Sequence, residues 1–75
     1  MIISKHARKR MEERKVTEEE IKKCITDGEI VLRKVIKNEM RFTRSIDLAD
    51  KRLSVVYTVK NNEERVITCF PVKRE

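Results

Sequence analysis

His6, Arg10 and Arg14 stand four residues apart in "SKHARKRMEERKV", and His6 is the only histidine among 75 residues. On a helix such positions occupy successive turns, so the imidazole and two guanidinium groups would share an arc of about 80°. That set suits chemistry on a phosphodiester. RNA is cleaved without metal when a 2′-hydroxyl attacks the adjacent phosphate. The reaction needs one group to take a proton, one to give it, and cations to stabilise charge growing on the phosphate oxygens. An imidazole exchanges protons near neutrality and fits either transfer role. Arginines one turn away disfavour a further positive charge on the ring, which suits it to the base role. Arg10, joined by Arg41 if its strand faces the same cleft, would grip a phosphate through paired donors that lysine lacks.

Three other readings compete. In the plainest, His6 is a helix-start residue bonded to backbone, and Arg10 and Arg14 pair with acids of a second helix such as Glu18. In the second, Arg33, Lys34, Lys37, Arg41, Arg44, Lys51 and Arg52 join the helix arginines in neutralising phosphates without catalysis, giving salt-dependent and weakly selective binding. Phe42, Tyr57 and Phe70 are the only aromatics, a poor supply for a base-stacking platform. In the third, the chain docks an acidic protein through a strand edge or a basic sheet face.

Charge supports both kinds of partner, RNA and an acidic protein. Lys and Arg number 19 against 13 Asp and Glu, a net +6 on a small body whose field attracts polyanions, RNA foremost. A chain of this length makes a single domain, residues 1–75, with a small core, because only about 60% of the unfolded surface is buried at this size. Charged residues are 43% of the chain and hydrophobic residues 39%; the apolar positions are patterned, which argues against disorder.

Other chemistries fall away. Cys24 and Cys69 have neither a C-x-x-C partner nor histidines at zinc spacing, so no metal is expected, and their apolar neighbours suit buried free thiols in a reducing cytoplasm. Ser4 and Ser45 lack a nucleophile-elbow context, and the lone Gly28 makes no phosphate-cradling loop, so triad hydrolases and nucleotide cofactors drop out. Arg8 with Glu12 and Lys9 with Glu13 are spaced as ordinary solvated ion pairs. No run approaches the roughly 20 apolar residues of a membrane span, and "MIISKHARKR" has no signal-peptide core, so a cytoplasmic chain without a cleaved leader is expected.

The elements that must position these residues read clearly. Good helix formers predict a first helix from Lys5 or His6 to Glu13 or Arg14, with Ala7 and Met11 inward. "VTEEEI" predicts a second, with Thr17 as N-cap, Glu20 closing a capping box and Val16 stapling onto Ile21. It would end near Asp27, with Gly28 as a left-handed cap. From Glu29 the period becomes two, and "EIVLRKVI", "MRFTRSIDL", "RLSVVYTV" and "ERVITCF" predict four strands joined by short turns. Met40, Phe42 and Ile46 would share one face, as would Leu53, Val55, Tyr57 and Val59. Pro71 should stop the last strand, leaving "VKRE" as a charged tail. The expected fold class is α+β, two N-terminal helices on one face of a four-stranded antiparallel sheet.

The run Ser4, His6, Ala7, Arg10, Met11, Arg14, Val16, Thr17, Ile21, followed by "MRFTR", "LSVVY" and "VITCFP", resembles a bacterial and phage domain-of-unknown-function family grouped with RelE-like and BrnT-like toxins. The resemblance spans nearly the whole chain. It implies a RelE/BrnT-like fold and, for the better-known relatives, a metal-independent endoribonuclease of a toxin–antitoxin system, held in check by an acidic antitoxin. Position by position, His6 and Arg10 match the helix motif, Arg41 the strand arginine and Thr68 the last-strand threonine. Where relatives often carry a tyrosine near that strand this chain has Phe70, leaving Tyr57 as the only phenol. The expected site is thus His6, Arg10 and Arg41, with Arg14, Arg44, Thr68 and Tyr57 binding substrate.

Overall fold

The computed structural model describes residues 1–73. Its elements run β1 (Ile2–Ile3), α1 (Lys5–Arg14), α2 (Glu18–Asp27), β2 (Glu29–Ile36), β3 (Glu39–Asp47), β4 (Lys51–Lys60) and β5 (Glu63–Lys73). The helices form where composition and caps predict them. Ser4 caps α1, its hydroxyl accepting from the Ala7 amide. Thr17 and Glu20 close the capping box, with the Thr17 amide on Glu20 Oε1 at 2.9 Å and the Glu20 amide on Thr17 Oγ1 at 3.1 Å.

The sheet is α+β in class but mixed, with five strands in the order β1-β5-β4-β3-β2, where four antiparallel strands were expected. β2 to β5 form the antiparallel meander. The added β1 runs parallel to β5, pairing Ile2 with Arg65 and Ile3 with Val66. Two residues carry no readable period, so nothing in "MII" distinguishes it from a disordered start. Lys37–Asn38 and Asn61–Asn62 both sit at positive φ, giving the two-residue turns whose twist suits a tight hairpin.

Pro71 does not end β5, which continues to Lys73; only Arg74 and Glu75 of the expected tail lie outside the described residues. β1 covers just Arg65 and Val66, so at Pro71 the strand has a neighbour on one side only, an edge where a ring without an N–H is tolerated.

Both helices bury their apolar faces on the same side of the sheet. Ala7, Met11, Val16, Ile21 and Cys24 meet Leu53, Val55, Tyr57, Val66 and Cys69 in one cluster with Ile3, and Phe42 and Ile46 pack against it. The cover is incomplete. Val59 and Met40, expected on the core face, are 45% and 38% exposed because the helices leave the hairpin end of the sheet bare.

Gly28 has an extended backbone, φ −71° and ψ 164°, and is not the left-handed cap expected of it. Space is its reason: an added Cβ would meet the Cys24 carbonyl oxygen and lie 2.9 Å from that of Ser45, both backbone atoms. Gly28→Ala should therefore cost about 2–4 kcal/mol through forced backbone movement. Urea unfolding checks this, and an unchanged midpoint would show that α2 can shift freely over β3.

Candidate functional site

Strand alternation decides which predicted site residues can meet. Phe42 faces the helices and stacks on Tyr57, centroids 5.4 Å apart, and Arg33 lies over the same ring at 5.8 Å. Successive strand residues point to opposite faces. Arg41, paired across the ladder with Thr58, therefore projects from the face without helices, and so does Thr68, paired with Val56 beside the buried Cys69. His6, Arg10 and Arg14 belong to α1, on the other side. The sheet separates Arg41 and Thr68 from His6, and the single cleft expected for His6, Arg10 and Arg41 is not formed. The sequence held the signal: once Met40, Phe42 and Ile46 are assigned to the core, Arg41 must face away.

Arg44 has the opposite parity and turns toward the helices, where its donors are taken by its own chain. Nε donates to the Tyr57 hydroxyl at 2.8 Å and Nη1 to the Gly28 carbonyl at 2.7 Å. Tyr57 is buried. The pair expected to contact substrate instead locks β3 and β4 to the end of α2.

On α1, His6 is exposed and Arg10 half-exposed, and Arg10 makes only a loose 3.8 Å contact with Glu13. The partner of Glu18 is Arg8, at 2.9 Å, in place of Arg10 or Arg14. Arg14 reaches an open hollow shared with Lys15, Asp50, Lys51, Pro71 and Lys73. Lys15 enters as the left-handed cap of α1, φ 56° and ψ 48°, its amide donating to the Met11 carbonyl; a conformation that glycine fills most easily is here taken by a cation. Lys51 Nζ lies 3.1 Å from Glu20 Oε2 and 3.4 Å from the Lys15 carbonyl, which ties the hollow's floor to α2. Four cations from three segments thus surround one aspartate. Periodicity could not reveal this, because Lys15, Lys51 and Lys73 belong to a cap, a strand start and a strand end.

The thiols are buried and free. Burial pushes Cys24 up to about 11, against the opposing effect of a hydrogen bond from the Val55 backbone and of Arg44 and Arg52 nearby. Burial also raises Cys69, although Arg14, Arg10 and Lys51 each pull it down. Desolvation pushes Glu20 up, but the Thr17 amide and Lys51 outweigh it and hold the carboxyl below its ordinary range. No helix among the described residues is long and apolar enough to cross a membrane.

Residues 3–71 match the family described as Domain of unknown function (DUF4258), and the chain belongs to that family. No curated protein and no solved structure matches it. The family description assigns no activity.

Two outcomes follow from these environments. Both thiols should resist an aromatic disulfide reagent at pH 8 in the folded chain and react at once in urea; rapid labelling of folded protein would contradict their burial. Because the folded pKa of Glu20 is lowered, its contribution to stability is present at neutral pH and is lost as pH falls below about 4.5, the ordinary value. Glu20→Gln should flatten that part of the stability profile in acid unfolding, and an unaltered profile would show that Lys51 does not hold it.

Proposed function

We propose that this DUF4258 member is an RNA-directed protein of the RelE-like and BrnT-like kind that holds the RNA backbone along α1 and in the hollow at its end. One observation carries the reading: Arg14, Lys15, Lys51 and Lys73 converge on a single open hollow that continues the line of His6 and Arg10. Cations one helical turn apart, about 5–6 Å, meet successive phosphates of an extended strand, and the hollow takes the next phosphate from several sides.

Affinity on these terms comes from counter-ion release, with little base selectivity. That fits a surface whose aromatics lie elsewhere: Phe42 and Tyr57 are stacked on each other, and Phe70 is on the opposite face of the sheet. Two helices before a meander is the order that the resemblance to RelE-like and BrnT-like toxins implies. The geometry supports binding further than cleavage, since Arg41 and Thr68 stand behind the sheet and Arg44 and Tyr57 hold each other. A nucleolytic step would rest on His6 with Arg10 and Arg14 alone.

Anisotropy of a labelled single-stranded RNA, titrated with salt in chelator, tests this. Four phosphate contacts give a log–log slope of about −3, and Arg14→Ala with Lys73→Ala should bring it to about −1.5. Salt-independent binding, or binding lost in Arg41→Ala and kept in the double variant, would overturn the α1 surface. The same samples on a gel decide the chemistry: cleavage that stops in His6→Ala at undiminished affinity adds an endoribonuclease to the binding module.

A further inference from the structure

The face of the sheet without helices carries a second set of cations in a different setting. The ladder register aligns Lys34 of β2, Arg41 of β3, Thr58 of β4 and Arg65 of β5 in one row across the sheet. Among the described residues none of the three cations has an ion-pair partner, whereas Arg52 on the same face is matched by both Asp47 and Glu29 at 2.9 Å. Arg41 Nε is closed off from solvent with no acceptor to donate to. Leaving a buried donor without an acceptor costs about 1–3 kcal/mol.

Beside this row the face is mixed, with apolar side chains set among threonines and serines. Leu32 and Val56 share the next row with Thr43 and Thr68, and Phe70 and Val72 follow on β5 beside Ser54 and Arg52; Leu32 is 51% exposed and Val72 61%. Exposed Leu32, Phe70 and Val72 next to unmatched cations make this face unlike a surface meant only for water.

We infer that this face docks an amphipathic α-helix of a partner protein, its apolar side on Leu32, Val56 and Phe70 and its acidic stripe on Lys34, Arg41 and Arg65. Charge complementarity and spacing argue for that occupant. Strands lie about 4.8 Å apart, so the cations fall at about 0, 5 and 14 Å along the row. Acidic residues at i, i+3 and i+10 of a helix rise to about 0, 4.5 and 15 Å and stay within a stripe of about 80°, on one side of the helix. An RNA strand would match the cations but gain nothing from Leu32, Val56 and Val72, and Phe70 is the one aromatic on this face. A second copy of the chain is a poor match because it brings the same positive charge.

The probe is a synthetic 14-residue alanine-based peptide with glutamates at i, i+3 and i+10 and leucines on the adjoining stripe. Added to the full ¹⁵N-labelled chain, it should shift the amides of Leu32, Arg41, Val56 and Arg65 and leave those of α1 in place. Arg41→Glu should weaken binding about tenfold or more, Arg14→Glu should not, and a peptide with lysine for glutamate should not bind. Leu32→Ser provides an independent loss if Arg41→Glu disturbs folding, which circular dichroism would reveal. The inference is overturned if the peptide does not bind, if the lysine peptide binds equally, or if Arg14→Glu abolishes binding. It is also overturned if single-stranded RNA shifts this face in place of α1, or if sedimentation shows the face closed by a second copy.

Discussion

The seat of α2 on the sheet depends on the contact between Arg44 and the end of that helix. The guanidinium holds the Gly28 carbonyl with one nitrogen and the Tyr57 hydroxyl with another. Gly28 in turn lies so close to the Cys24 and Ser45 carbonyls that no side chain fits. A charged group reaching into a small core is costly unless its donors are satisfied, and here they tie three elements at one point. With α2 held there, Cys24 hydrogen-bonds to the Arg44 and Leu53 carbonyls, and the capping-box glutamate comes within reach of Lys51. One side of the basic hollow, the Glu20–Lys51 pair, is therefore held through an arginine that does not line it.

A second constraint is the alternation of the strands. One layer of helices over one sheet leaves the other sheet face bare, and every second residue of β3 and β4 must stand on it. Arg41 and Arg44, three residues apart on one strand, consequently have unrelated tasks. The first stands on the bare face with a buried Nε that has no acceptor, and the second is consumed within the fold. What looks in the sequence like a uniform basic surplus is sorted by parity into internal ties, a helix-side track and a sheet-side row.

The legibility of the chain follows the same physics. Thr17 with Glu20, and the change of period at Glu29, are local signals, and the elements they announce are present with nearly the expected bounds. The inward set Leu53, Val55 and Tyr57 could be read from alternation alone. β1 could not, since two residues gain strand character only by lying against β5. Gly28 misled because glycine serves both left-handed caps and close approaches, and only the neighbouring chain tells which. The site was half legible. Spacing places His6, Arg10 and Arg14 on one helix, but the three lysines of the hollow meet through tertiary structure, and the parity of β3 sets Arg41 apart from His6 and Arg10.

The two cationic surfaces lie on opposite sides of a body whose shortest dimension is 17 Å. At physiological ionic strength the Debye length is about 8 Å, so charge bound on one face is felt weakly on the other through solvent. An acidic helix on the Arg41 row would thus not compete directly for the phosphates held by Arg14 and Lys73, and RNA on α1 would not block the row. Any communication between them has to pass through the sheet itself. The most direct connection is β3, where Arg41 and Arg44 share one strand and Arg44 fixes α2 in place. A partner that shifted β3 at Arg41 would pull on the Arg44 contact with Gly28, and through α2 on the Glu20–Lys51 pair at the floor of the hollow. Binding on the bare face would then act on the basic track by moving its lysine, with no need to cover it.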